Sequence, residues 1–410
     1  MALFIIFLFS RMIEFVPVRL LPATMGLLLV WGLLTSNWRD WISAKPTVLL
    51  LGLSALMTVA SLAGNWPGGS VDLMMYAWSR SLLCYLIVVT VGCGLASVGT
   101  AMSAVAWSVG VIVVALQLQT VPADARLASA LGGTLSNPND LAALLVIGLP
   151  FCAWYAFGSG RPLFLRVVMA VMAALAFIML LKTGSRMGLL ALLFVVALLF
   201  FITRGRQRLL LALLTLAAGV AALVFVPRAI QERYETMVDS NVEESQGNVD
   251  AMKAIGSTQA RWSLFVDSLL ITAQHPLLGV GPGNFSGRDA EMIKATGGRP
   301  GWQVTHNSYT QVSSECGIPA ALVFAWLVLY GLRTTNRLRR AMPVHPELRS
   351  KAPMAFWLLV AIAAYGFSAM FGAFAYGYQL PLLVAMVLLL DTATAGALAQ
   401  LPGSPAPTPR

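Results

Sequence analysis

Only 11% of the 410 residues are charged, and only three are histidines. Soluble domains carry about a quarter charged residues, so this scarcity excludes an ordinary water-soluble enzyme. Metal-binding patterns are also missing, with no HExxH, no DxD and no paired CxxC. There is no P-loop either, because GVGPGNF lacks the Lys-Ser/Thr ending. Chemistry here is therefore expected to proceed without a nucleotide cofactor or a resident metal. The four cysteines, Cys84, Cys93, Cys152 and Cys316, have no pairing or metal-like spacing. Three of them lie in apolar runs and read as small core residues. No internal repeat is visible, which argues against the transporter folds built from duplicated halves.

Long apolar runs are what the chain has instead. Hydrophobic residues make up 58% of it. A helix needs about 20 apolar residues to cross a hydrocarbon core, and backbone without water must satisfy itself within helices. The runs predict an all-α polytopic membrane protein with about twelve spans, centred on 2–16, 20–36, 47–63, 74–92, 99–119, 139–157, 164–181, 186–203, 208–227, 308–332, 353–374 and 376–395. The first is short and carries Arg11 and Glu14, so eleven is the alternative count. MALFIIFLFSRMIEF has no basic leader or small-residue cleavage site and reads as a retained span.

The net charge of +10 is distributed as a membrane protein distributes it, not as a nucleic-acid binder does. Arg39 and Lys45, Arg161 and Arg166, Arg204 to Arg208, and Arg333 to Lys351 all fall in loops on one side, which the positive-inside rule makes cytoplasmic. Both termini are then expected inside. The expected organisation is membrane helices over 1–227, a long periplasmic loop with a helical subdomain over 228–306, membrane helices over 307–395, and a Pro-rich disordered tail over 396–410. The long loop holds nine of the seventeen acidic residues and is too long for an idle connection. Thr258 is expected to cap a helix from Gln259 to about Gln274, with Trp262, Phe265, Val266, Leu269 and Leu270 sharing one face. HPLLGVGPGNF (275–285) then makes a Gly-rich turn.

Three residues stand out chemically. Arg186, in KTGSRMG (182–188), heads a membrane helix, where an unpartnered cation is costly. It either snorkels to the interface or clamps an anion, since guanidinium matches phosphate oxygens. The Gly-Ser turn, with Ser185, leaves N–H groups at a helix start that favour anions. Arg261 falls in the first turn of the expected loop helix, where a cation opposes the dipole and calls for an anion, either Asp267, Glu244 or a substrate. His306 opens HNSYTQVSSECGIPA (306–320), where the polar loop meets an apolar run. It can cap a helix, but an imidazole there also suits proton transfer. Asn137 and Asn139 flank Pro138 in GTLSNPNDLA (133–142) as helix caps or substrate contacts. Lys182, Arg288, Arg299 and Asn307 are further substrate-contact candidates. His275 and His345 have no neighbours that suggest a role.

Taken together, GTLSNPNDLA, TGSRMG, QARW, HPLLGVGPGNF and HNSYTQVSSECGIPA, in that order over roughly 70–390, resemble the O-antigen ligase and polymerase superfamily of bacterial envelope glycan transferases. The resemblance implies a GT-C-like helical fold in the bacterial inner membrane. It implies an undecaprenyl-pyrophosphate-linked glycan as donor and inverting, metal-independent transfer at the periplasmic face. Arg186 and Arg261 match the arginines that hold the donor pyrophosphate, and His306 the histidine that assists the acceptor hydroxyl. The acceptor is a lipid A-core sugar in ligases, a second lipid-linked unit in polymerases, and protein Ser or Thr in a third branch. The ligase pattern fits best. Cys316 departs from the small or apolar residue expected in that motif.

Overall fold

The apolar runs do become helices, and their ends follow local chemistry. The structure is a computed structural model that describes residues 1–11, 20–36, 41–119, 126–128, 133–235 and 249–400, with backbone alone for 20–23, 134 and 249–257. In chain order the helices are α1 (Ala2–Phe9), α2 (Leu20–Thr35), α3 (Lys45–Ala63), α4 (Pro67–Val91), α5 (Gly94–Gln117), α6 (Pro138–Phe157), α7 (Leu163–Lys182), α8 (Arg186–Ile202), α9 (Arg206–Phe225), α10 (Arg228–Glu235), α11 (Val249–Gln274), α12 (Phe285–Ala295), α13 (Ser308–Ala341), α14 (Pro346–Arg349), α15 (Ala352–Ser368) and α16 (Gln379–Ala399).

Among the described residues, eight of these helices are long and apolar enough to cross a membrane: α3 to α7, α9, α13 and α16. Three shorter apolar helices, Thr24–Thr35 within α2, α8 and α15, occupy other expected spans. Of the expected first span over 2–16, the described part forms the eight-residue α1, shorter than a crossing helix, and residues 12–16 lie outside the described residues. Of the expected spans, eight qualify by length and composition among the described residues, and three more coincide with the shorter apolar helices.

α6 is the centre of the bundle. It packs against α5, α7, α8 and α15, and 78% of its apolar window is buried. α9 has none of its window buried and sits at the rim, as a lipid-facing helix does. α6 begins as its sequence predicts: the Asn137 side chain accepts from the Asn139 N–H (2.9 Å) and Pro138 opens the first turn. The bland capping role of Asn137 is therefore real.

Two expectations for the long loop are overturned. α11 begins at Val249, so Thr258 lies inside the helix rather than capping it, and Arg261 is not in the first turn. The conflict with the helix dipole disappears with it, because that field acts within the first turn. The proposed apolar face is also the wrong one. Trp262 is 68% exposed, and Val266, Leu269 and Leu270 are exposed as well. The face packed on α13 carries Leu264, Ser268, Ile271 and Thr272, with a Thr272–Ser313 hydroxyl bond of 2.8 Å. Arg261 is one turn before Leu264 on that inward side. The acidic stretch 236–248, which includes Glu244, and the tail 401–410 lie outside the described residues. α16 continues to Ala399, past the expected boundary at 395.

α13 is kinked at Gly317 (φ 84°), two residues before Pro319. Proline has no N–H, so the Glu315 carbonyl loses its helical partner. Residues 276–281 supply the missing bonds. Gly281 N–H donates to Glu315 O (2.8 Å), Val280 N–H donates to Ser314 O (3.0 Å), and Ile318 N–H donates to Pro276 O (2.8 Å). A Cβ on Gly317 would meet the Leu277 carbonyl oxygen at 2.2 Å, so only glycine permits this approach. The Gly-rich turn is thus the complement of a broken helix and fixes the long loop to the bundle.

Candidate functional site

The site is built around the turn joining α7 to α8. The last carbonyls of a helix have no partners within it. Here each of four consecutive carbonyls accepts from another segment. Leu181 O accepts from the Tyr234 hydroxyl (2.8 Å), Lys182 O from Leu127 N–H (3.0 Å), Thr183 O from Arg126 Nε (2.8 Å), and Gly184 O from Arg233 Nε (3.0 Å). Gly184 has φ 58°, and a Cβ there would touch Arg233 on one side and Arg126 on the other. The turn therefore draws two arginines from distant segments onto one glycine.

The other side of the turn holds the start of α8. Ser185 Oγ accepts from Gly188 N–H (3.2 Å) as an N-cap and donates to Asn139 Oδ1 (2.9 Å). Asn139 Oδ1 also accepts from Arg126 Nη2 (3.2 Å). Arg126, Asn139 and Ser185 thus form one network that fixes the first residue of α8, Arg186.

Charge concentrates at this point. Burial pushes Arg126 down to about 10, and Arg233, Arg261 and Arg186 push the same way against an opposing contribution from Tyr234. Arg261 is lowered by burial and then by Arg233. His306 is lowered to about 4 by burial first and Arg261 second. The guanidinium groups of Arg126, Arg186, Arg233 and Arg261 thus form a chain of mutual repulsion, and Arg261 carries it to the imidazole of His306. The imidazole is neutral at ordinary pH, which is the form that accepts a proton.

The backbone around His306 is firmly held. Asn307 Oδ1 accepts from the Tyr309 and Thr310 N–H groups (2.9 and 3.2 Å), capping α13. Ser308 N–H donates to Ala369 O (2.7 Å), and its hydroxyl donates to Gly372 O (2.6 Å) while accepting from Phe374 N–H (2.8 Å). His306 itself sits at φ 52°, an uncommon region for a residue with a side chain. Among the described residues its imidazole has no hydrogen-bond partner.

Glu315 is not part of this cluster. Its carboxylate accepts from Gly283 N–H (2.9 Å), Phe285 N–H (3.4 Å) and the Tyr376 hydroxyl (2.5 Å), so it pins the Gly-rich turn. Asp267 does not answer Arg261; it shares a hydrogen bond with Asp289. Arg288 pairs with Glu291 (3.2 Å) and Gln274 (3.3 Å). Gln274 is thirteen residues along α11 from Arg261, about 20 Å at 1.5 Å per residue. Arg288 is therefore placed apart from the cluster, and Arg299 lies exposed beyond α12. Lys182 enters through its carbonyl, and Asn307 through its cap.

The structure places Ser185 and Asn139 on the turn that leads into Arg186, with Arg261 acting on both Arg186 and His306. Arg126 and Arg233 were missed. Arg126 lies between spans without periodicity, and Arg233 looks like one more charge in an acidic run.

These features define a class: a multi-pass helical membrane protein that concentrates arginines and a neutral histidine at one end of its bundle. Residues 171–325 match the O-antigen ligase family, Wzy_C, so the chain carries the domain of these membrane glycan-transferring enzymes. The match includes Arg186, Arg233, Arg261 and His306. It is narrower than the motif resemblance and leaves out Arg126, Asn137 and Asn139. No curated protein matches the chain.

Proposed function

We propose that the protein transfers a glycan from undecaprenyl pyrophosphate to a sugar hydroxyl of the lipid A core, with inversion and without a metal, at the periplasmic face of a bacterial inner membrane. The observation that carries this reading is the neutral His306 beside Arg261, within a group of guanidinium side chains, inside the O-antigen ligase domain.

The chemistry fits the groups present. The acceptor oxygen attacks the anomeric carbon from the face opposite the leaving group. The C1–O bond to the diphosphate breaks, and its electron pair stays on the diphosphate, which gains one negative charge. The hydroxyl proton passes to a ring nitrogen of His306. Arg186 and Arg261, with Arg126 and Arg233 behind them on the Gly184 turn, stabilise the charge that develops on the leaving group. Donor binding also offsets the field of Arg261 at His306 and so makes the imidazole a stronger base at the moment it is needed. The polyprenyl tail lies along the apolar helices, and both termini face the cytoplasm.

Purified protein in detergent with EDTA, given polyprenyl-pyrophosphate glycan and lipid A-core, tests this. Glycan should appear on lipid A-core and be lost in Arg186→Ala, Arg261→Ala and His306→Ala proteins that remain monodisperse. Full activity in all three variants refutes the assignment. Lengthened lipid-linked chains with no product on lipid A-core identify a polymerase instead.

A further inference from the structure

The opposite end of the bundle holds a second concentration of cations, and it lines a cleft. The ends of α6, α8 and α13 and the starts of α9 and α15 meet there around a volume of about 690 Å³. Arg161, Arg339, Arg349 and Lys351 line it, and no acidic residue does. None of the four makes an ion pair among the described residues. The contrast with a neighbour is informative: Arg337, on the same helix as Arg339, is neutralised by Asp391 at 2.7 Å.

Two of these cations are held in place. Arg161 donates to the Trp154 and Tyr155 carbonyls (3.4 and 3.2 Å) and lies over both rings, 4.0 and 4.2 Å from their centroids. Arg339 is tied to Asn336 Oδ1 through Nη2 (3.0 Å), while its Nε is buried with no partner. Such a group lacks its hydrogen bond until something fills the cleft. Ser159, Thr203, Gln207 and Ser350 add polar groups to the wall, and most of the remainder is apolar. Leu199 on α8, Leu210 and Leu214 on α9, and Trp357 on α15 run from the basic rim along the membrane helices.

We infer that this cleft binds an anionic phospholipid, with the phosphate headgroup on Arg161, Arg339, Arg349 and Lys351 and the acyl chains against Leu199, Leu210, Leu214 and Trp357. Charge complementarity selects an anion, and the apolar side chains of α8, α9 and α15 in the wall select a lipid over a soluble phosphate. The loops that form the rim are those the positive-inside rule places in the cytoplasm, where anionic lipid headgroups attract juxtamembrane cations. The site also gives the rim helix α9, which buries none of its own apolar window, a packing partner between it and α15.

The test is native mass spectrometry of the full-length protein in detergent, titrated with phosphatidylglycerol, phosphatidylcholine and free glycerol phosphate. Phosphatidylglycerol should be retained in preference to phosphatidylcholine. Arg349→Gln and Lys351→Gln, exposed substitutions that leave the fold alone, should each weaken retention about fivefold. Arg161→Gln and Arg339→Gln should weaken it more. Leu214→Ser should weaken phosphatidylglycerol without affecting glycerol phosphate. Equal retention of the two lipids, or unchanged retention in the four cation variants, overturns the site. Glycerol phosphate binding as tightly as phosphatidylglycerol overturns its assignment to a lipid. Glycan transfer is not read in this experiment, so its outcome is independent of the reaction proposed above.

Discussion

An ordinary histidine general base would leave a clear mark on the pH profile, and His306 should not. A free imidazole titrates near pH 6.5, so at pH 5.5 about 90% of it is protonated and unable to accept a proton. With its value lowered to about 4, His306 is about 3% protonated at pH 5.5. Between pH 7 and 5.5, kcat/KM for glycan transfer should therefore fall by only a few per cent on account of this group, against about tenfold for an unperturbed base. The kcat profile should break at a higher pH than kcat/KM, because bound diphosphate offsets Arg261. A readout independent of turnover is diethyl pyrocarbonate modification of His306 with His275 and His345 replaced by Gln. Its rate should stay flat down to about pH 5, and Arg261→Gln should move the break upward. A kcat/KM limb or a modification break at pH 6.5 in the wild-type protein refutes the reasoning. The linkage has a definite sign. The folded value lies below the unfolded one, so the unfolded chain binds more protons between pH 4 and 6.5. His306 therefore costs stability as pH falls through that window and nothing above it.

Two further outcomes follow from the loop. Glu315→Ala leaves the part-buried Gly283 N–H, the buried Phe285 N–H and the Tyr376 hydroxyl without their carboxylate acceptor. It should destabilise the protein by about 3 kcal/mol or more and expose 275–285 to thermolysin, and a change under about 1 kcal/mol in a detergent melt would contradict that accounting. Asp289 is raised to about 6 by burial and then by the charge and hydrogen bond of Asp267. Its folded value exceeds the unfolded one, so its contribution is present below about pH 4 and is lost as pH rises through 6. Amide exchange in α12 should therefore be slower at pH 5 than at pH 7 after correction for intrinsic rates, and Asp289→Asn should remove the difference.

Run length and caps made the helices legible, because lipid forces an apolar run into a helix whatever its neighbours do. Asn137 caps as its place before Pro138 suggests, and Ser185 and Asn307, read from the sequence as substrate contacts, turn out to be caps too. α11 shows where this reasoning fails. An apolar stripe at helical spacing marks the core only when the surroundings are water. Beside a bilayer the stripe can face outward, and the small hydroxyls Ser268 and Thr272 mark the packed side, as they do between membrane helices. Arg186 and His306 stand out in the sequence for a related reason, each being a costly group in an apolar or interfacial context, whereas Arg261 stands out there for a first-turn position that α11 does not give it. Arg126 and Arg233 are not costly where they stand in sequence, so nothing local distinguishes them. What selects them is a deficit elsewhere. The carbonyls of Lys182, Thr183 and Gly184 are met by donors from other segments, and the turn itself has only glycine and two small hydroxyls to offer. Donors must then come from distant segments, and arginine is suited to this because Nε can hold a carbonyl while the rest of the fork faces an anion. The same deficit that gathers the arginines also fixes where their charge is concentrated. The α7–α8 turn is thus both the structural seat of the cluster and the reason a diphosphate would bind there.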